Sequence, residues 1–296
     1  MAEQTMTATL PTPDCEGYLN QPHQAVYYRI YRSSAFTPRR LLLLHGGGVD
    51  GQITWEPIVS RLLQWAEVLV PDLRGTGKTR FPDHQEHPFS TSDVVADMAA
   101  LLDSLGWDSF DLGGYSYGGL VAMQLKAARP SAVGKTFLFE PGLLGGGNEA
   151  ELLNRRENLL QAAQKLRIDE ELEYGLQVFL DAVSPQRNRN SRNEEIVRGR
   201  LAHRPKGLAA ILEAVTRAAR QLDRAQLIAA QEHVSSFVGE RSSAEVFTFC
   251  QEIAQQRPDW LCHLIPGTDH ALPFQKPDAI ARLMNADLQA FLSQAG

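Results

Sequence analysis

The sequence predicts an α/β domain: a mostly parallel central sheet with helices on both faces, interrupted once by a block of helices. Three observations carry that prediction. Short apolar runs such as Leu41-Leu-Leu-Leu44 alternate with longer amphipathic stretches, the pattern of buried parallel strands joined by crossover helices. The alternation stops near residue 143 and resumes near 233, with no strand-like run between. Between a strand-like and a helix-like segment lies Gly114-Tyr-Ser-Tyr-Gly118, a G-x-S-x-G pentapeptide on a very tight turn.

Taken in order, residues 1–16 read as a loose tail. Residues 24–31, rich in aromatic and β-branched side chains, form a strand, and 39–44 form a central one that ends in His45-Gly-Gly-Gly48. A helix follows over 52–63, then a strand over 66–71 running into Asp72-Leu-Arg-Gly-Thr-Gly77. Residues 93–105 form an amphipathic helix with its cap at Ser92. A strand over 109–113 leads into the serine turn, the helix after it is stopped by Pro130, and 135–141 form the next strand. Five helices are expected over 148–166, 169–183, 192–201, 206–221 and 223–231, broken at Ser184-Pro185 and Arg204-Pro205. Strand 233–239, helix 244–256, strand 260–265 and helix 278–293 complete the chain. The expected organisation is a core of residues 1–142 and 232–296 with a helical cap over 143–231.

Composition excludes several classes. A length of 296 residues accommodates one large core plus an insertion. The net charge of −6 argues against a nucleic-acid partner, which requires a basic face. Apolar runs are too short to span a bilayer, and the N-terminus lacks a basic segment followed by an apolar core, so no transmembrane or secretory segment is expected. Three cysteines, Cys15, Cys250 and Cys262, are an odd number without metal-type spacing. They read as small hydrophobes in a reducing compartment, which points to a cytoplasmic protein without a metal.

The chemistry centres on Ser116. The flanking glycines relieve crowding in the turn, the turn exposes the hydroxyl, and the N–H of Tyr117 opens a helix, where it can face an oxyanion. A hydroxyl is a poor nucleophile near neutral pH and needs a base. His270, in a loop after the last apolar strand, lies at the same sheet edge; His84, His87 and His203 sit in polar stretches and His263 within a strand.

His45-Gly-Gly-Gly48, Gly114-Tyr-Ser-Tyr-Gly118 and Pro266-Gly-Thr-Asp-His270, in that order and with Asp72-Leu-Arg-Gly-Thr-Gly77 between the first two, resemble the α/β-hydrolase superfamily over roughly 24–142 and 232–294. The resemblance implies a serine hydrolase needing no cofactor, with His45 structural and Gly47 as second oxyanion donor; the longer loop leaves Gly48 open. Asp72 and Arg74 read as loop-holding residues.

The acid departs from the family pattern. Its commonest position, three residues past the glycine ending strand 233–239, is Ser242. Some members place the acid after the preceding strand, where Glu140 stands, and Glu140 is the expected partner of His270. Glu240, Glu245 and a Ser–His dyad remain as alternatives. Pro141 favours an extended Glu140. The expected activity is hydrolysis of an ester or related acyl bond on a small-molecule acyl substrate, carboxylesterase-like; an aspartate nucleophile would have suggested epoxide or haloalkane hydrolysis. Lactonase, thioesterase, carbon–carbon bond hydrolase and perhydrolase activities use similar parts. A non-catalytic ligand-binding protein is the reading from a different class.

Overall fold

A computed structural model describes residues 11–35, 37–142 and 149–295; the first ten residues of the expected tail and the start of the expected cap lie outside them. Eight strands form one sheet in the order β1-β2-β4-β3-β5-β6-β7-β8. They are β1 (Cys15–Gln21), β2 (Gln24–Arg32), β3 (Arg40–Leu44), β4 (Glu67–Pro71), β5 (Phe110–Tyr115), β6 (Val133–Phe139), β7 (Val234–Gly239) and β8 (Trp260–Ile265). β1–β2 and β2–β4 pair antiparallel and all other neighbours parallel. The α/β fold class expected from the sequence is the one observed.

The apolar run of β3 explains why the sheet is covered on both faces. Leu42 and Leu44 join one core cluster, whereas Leu41 and Leu43 join the other. All four are fully buried, as a strand with no solvent side requires. On one face pack α2 (Thr91–Leu105) and α3 (Tyr117–Ala128); on the other pack α1 (Gly51–Val59) and the C-terminal helix Pro277–Ala295.

Several boundaries differ from the sequence reading. The tail gives way to a strand at Cys15, because β1 is an edge strand whose side chains are mostly exposed and leave little hydrophobic signal. The cap of α2 is Ser90, not Ser92: the Ser90 hydroxyl accepts from the Asp93 N–H while the Asp93 carboxylate accepts from the Ser90 N–H. β6 ends at Phe139, so Glu140 is already outside the strand. Its φ is +42°, in the left-handed region, rather than the extended conformation that Pro141 favours.

Between β6 and β7 lie α4 (Glu149–Lys165), a short 3-10 turn, α5 (Leu172–Val183), α6 (Arg192–Leu201), α7 (Pro205–Gln221) and α8 (Arg224–Ala229), with no strand among the described residues. These helices have their own apolar cluster around Ala162, Leu166, Leu176, Leu180, Leu208 and Leu212. α7 is two-faced: Leu208 and Leu212 belong to that cluster, while Ile211, Ala214 and Val215 join the cluster on the sheet. α7 therefore ties the inserted block to the core, joined by Leu227 of α8 in the same cluster. The helix α9 (Ala244–Gln256) joins β7 to β8, and after β8 come the loop 266–271 and a four-residue helix, Leu272–Gln275, absent from the sequence reading.

Candidate active site

Ser116 stands at the end of β5, the residue before α3. Its φ of +51° is rare for a residue with a side chain and is held by backbone bonds on both sides. The Ser116 N–H donates to Phe139 O at 3.0 Å, and its carbonyl accepts from Leu120 N at 3.1 Å and Gly142 N at 2.9 Å. The glycines of the pentapeptide are sterically required: a Cβ on Gly114 would stand 2.5 Å from Gly118 O, and one on Gly118 would stand 2.4 Å from His45 O.

His270 is supplied by the loop after β8. Asp269 pins that loop by accepting from Ala271 N and Gln275 Nε2, both at 2.9 Å. The Tyr115 ring packs beside the imidazole with centroids 5.3 Å apart. His270 Nε2 lies 3.0 Å from Ser116 Oγ, and His270 Nδ1 lies 2.7 Å from Glu140 Oε2. A carboxylate at Nδ1 fixes the proton there, which leaves the Nε2 lone pair facing the serine hydroxyl. The three residues thus form one hydrogen-bonded chain.

The Glu140 side chain is only 6% exposed. Its other oxygen accepts from Gly239 N at 2.7 Å and from the Ser242 hydroxyl at 2.5 Å. Burial opposes the charge, but the hydrogen bond and charge of His270 and the bonds from Ser242 and Gly239 outweigh it. The carboxyl is held below its ordinary range. Ser242, the residue standing where the sequence reading looks first for an acid, is thus a donor to Glu140, which follows the preceding strand. Glu240 and Glu245 are exposed. Glu240 instead accepts from Gly267 N at 2.8 Å.

Because the folded-state pKa of Glu140 is lowered, its ionised form stabilises the fold above the ordinary carboxylate pKa. That contribution disappears as pH falls through the lowered value. Ser242→Ala removes one donor and moves the pKa back toward normal. The variant is expected to lose about 1–2 kcal/mol at neutral pH and to begin acid unfolding at higher pH. Circular dichroism across an acid titration checks this; superimposable curves for the two proteins contradict it.

The glycine loop is locked from behind. His45 is fully buried, and its Nε2 accepts from Leu73 N at 2.9 Å, so Nδ1–H donates to Gly46 O at 2.7 Å. Burial, above all, pushes its pKa down. Asp72 accepts from Arg29 Nη1 at 2.9 Å and from the backbone of Gly51 and Lys78, while Arg74 forms two bonds to Asp97. These residues are committed to bonds that hold loops. His87 pairs with Asp83 and His263 with Asp287, each at 2.7 Å, and His84 and His203 are exposed.

Two cavities meet at Ser116. The larger, of about 130 Å³, and a smaller one of about 70 Å³ share Gly47, Ser116, His270, Phe179 and Val183. Tyr117 borders the larger cavity, and Gly48 borders neither; its φ is +77° and it faces Leu201 and Leu208. As first residue of α3, Tyr117 has an N–H with no acceptor inside its helix. No group of three or more metal-ligating side chains occurs among the described residues, and no helix among them is long and apolar enough to cross a membrane.

A sequence model of the alpha/beta hydrolase family matches residues 41–283. Among curated proteins, Lipase LipV of Mycobacterium tuberculosis is 34% identical over 118 residues, 40% of this chain and 43% of the lipase. The soluble epoxide hydrolase of Corynebacterium sp. is 29% identical over 130 residues, 43% of this chain and 44% of that protein. The chain thus spans less than half the length of these relatives. Among solved structures, MenH from S. aureus superposes with a TM-score of 0.72 at 20% identity, covering 90% of this chain and 98% of that one.

Proposed function

The chain belongs to the alpha/beta hydrolase family, and from that premise we propose that it is a serine hydrolase cleaving an ester or related acyl bond through an acyl-enzyme. The observation that carries the reading is the continuous chain from Glu140 through His270 to Ser116 Oγ. In this reading Ser116 Oγ attacks the acyl carbon as its proton passes to His270 Nε2, and Glu140 stabilises the imidazolium. The N–H groups of Tyr117 and Gly47 receive the oxyanion. His270 then protonates the leaving group, and a water activated by the same nitrogen releases the acid. Ser116 lies where the two cavities meet, which gives each side of the scissile bond its own space.

Chemistry favours this over epoxide hydrolysis, despite the relative of that name. A serine alkoxide opening an epoxide would leave an ether, which water does not readily cleave. An acyl-serine ester turns over. Lactones, thioesters and vinylogous carbon–carbon substrates fit the same machinery and differ only in leaving group. The helices α4 to α8 act in this reading as a cap whose α5 and α7 side chains Phe179, Val183 and Leu212 close the larger cavity over Ser116.

A fluorophosphonate probe tests the reading against a non-catalytic binder. The expected result is stoichiometric modification of Ser116, identified by peptide mass spectrometry and lost in Ser116→Ala. A folded chain that never labels, or one labelled elsewhere, removes the proposal.

A further inference from the structure

The larger cavity continues past Ser116 into a basic space. Arg155, one helical turn before Leu159 on α4, borders the catalytic cavity and also a neighbouring one of about 70 Å³. Gly142, Arg155, Leu159 and Val215 are common to both, so the two spaces adjoin. Arg156 and Arg224 also line the rear space, and among the described residues no Asp or Glu does.

The three guanidinium groups are not equivalent. Arg156 Nη2 donates to Ala219 O at 2.9 Å, which anchors it to α7. Burial first, and then the charge of Arg156, push the Arg224 pKa down. Arg155 is half-buried and has no hydrogen-bond or ion-pair partner among the described residues. Thr216, 2% exposed, borders the same space with its Oγ1 buried and unpartnered among the described residues. Arg155 and the unmet Thr216 hydroxyl are both served by one entering anion.

We propose that Arg155 and its basic space recognise a carboxylate carried by the substrate at the end remote from the scissile bond, so that the preferred substrates are acid-bearing acyl compounds such as half-esters of dicarboxylic acids. The inference rests on the serine-hydrolase reading and narrows its substrate class. A carboxylate suits the site because it is planar and singly charged, matching the two-pronged N–H pair that one uncommitted guanidinium offers.

The test uses mono-4-nitrophenyl esters of C4 to C8 dicarboxylic acids, each compared with its terminal carboxamide, which has nearly the same shape without the charge. A charged hydrogen bond of the usual strength gives a kcat/KM preference for the acid of about ten-fold or more at the chain length that spans the cavity. Arg155→Met is expected to bring the acid-to-amide ratio close to one. Arg155→Lys retains part of it, and Arg155→Glu turns the preference toward an ester ending in an amine. Amides cleaved as well as acids at every chain length by the native enzyme, or an unchanged ratio in Arg155→Met, overturns the proposal. If none of the esters, charged or neutral, is cleaved and Ser116 does not label, it is the hydrolase reading that fails instead.

Discussion

Ser116→Ala is expected to lower turnover of short 4-nitrophenyl esters by about 10⁶-fold, the scale seen when a serine nucleophile is removed from a triad whose members act as a unit. The loss is this large because the Ser116 hydroxyl, at 3.0 Å, is the hydrogen-bond partner of His270 Nε2 among the described residues, and without it the covalent route is closed. Stability should change by no more than about 1 kcal/mol, the worth of one hydrogen bond. Ser116 also holds a φ of +51°, and alanine keeps the Cβ that makes this unfavourable. Ser116→Gly removes the Cβ, relieving about 1–3 kcal/mol of backbone strain against the entropy cost of a more flexible residue. It is therefore expected to be equally inactive but at least as stable as the alanine variant. Turnover and denaturant unfolding of both variants check this. Near-native turnover in Ser116→Ala would falsify the nucleophile assignment.

Glu140→Gln is expected to be the second most damaging change, with a loss of about 10³–10⁴-fold in turnover. Glutamine keeps the shape but replaces an anion with an amide. If its NH₂ faces His270 Nδ1, that nitrogen must accept, and the proton moves to Nε2, where it points at the nucleophile. If its oxygen faces Nδ1 the tautomer survives, but the imidazolium formed during attack loses its negative partner in a site that is nearly dry. Glu240→Gln and Glu245→Gln, both at exposed positions, are expected to stay within about two-fold of the parent. Placing aspartate at position 242 in the Glu140→Gln background tests the geometry further. Ser242 Oγ already lies 2.5 Å from the Glu140 carboxylate, so a carboxylate introduced there is expected to recover part of the lost turnover. A nearly silent Glu140→Gln beside a crippled Glu240→Gln or Glu245→Gln would move the acid elsewhere.

How far the sequence could be read depended on the kind of signal. The α/β class was legible because Leu41–Leu44 must bury both faces of a strand, and no other placement of four leucines serves as well. Ser116 and His270 were legible because a tight turn and a strand-end loop constrain residue type locally. Glu140 could be preferred over Glu240 and Glu245 only by its place after a strand, since its partners Gly239, Ser242 and His270 lie about 100 residues or more further along the chain. Its left-handed backbone ran against the local preference set by Pro141, an instance of tertiary contacts overriding a neighbour effect. Arg155 was not singled out at all. An arginine in a charged helix looks solvated, and only packing reveals that it faces a cavity. β1 was missed because edge strands carry few buried residues.

The inserted helices leave the sheet between Phe139 and Val234, whose strands lie side by side and in register. For a polymer, the entropy of bringing two such ends together depends on the logarithm of the intervening length, about 0.6 kcal/mol for each doubling. The slot between β6 and β7 is therefore nearly indifferent to how much chain it holds, provided that chain buries its own apolar surface as the Ala162–Leu212 cluster does. Glu140 lies at the mouth of this slot, fastened on the sheet side to Gly239 and with Gly142 N bonded to Ser116 O. Whole helices can thus be lengthened, shortened or exchanged while Glu140, His270 and Ser116 keep their spacing; in the proposed serine-hydrolase reading, substrate choice could then drift without the chemistry drifting with it.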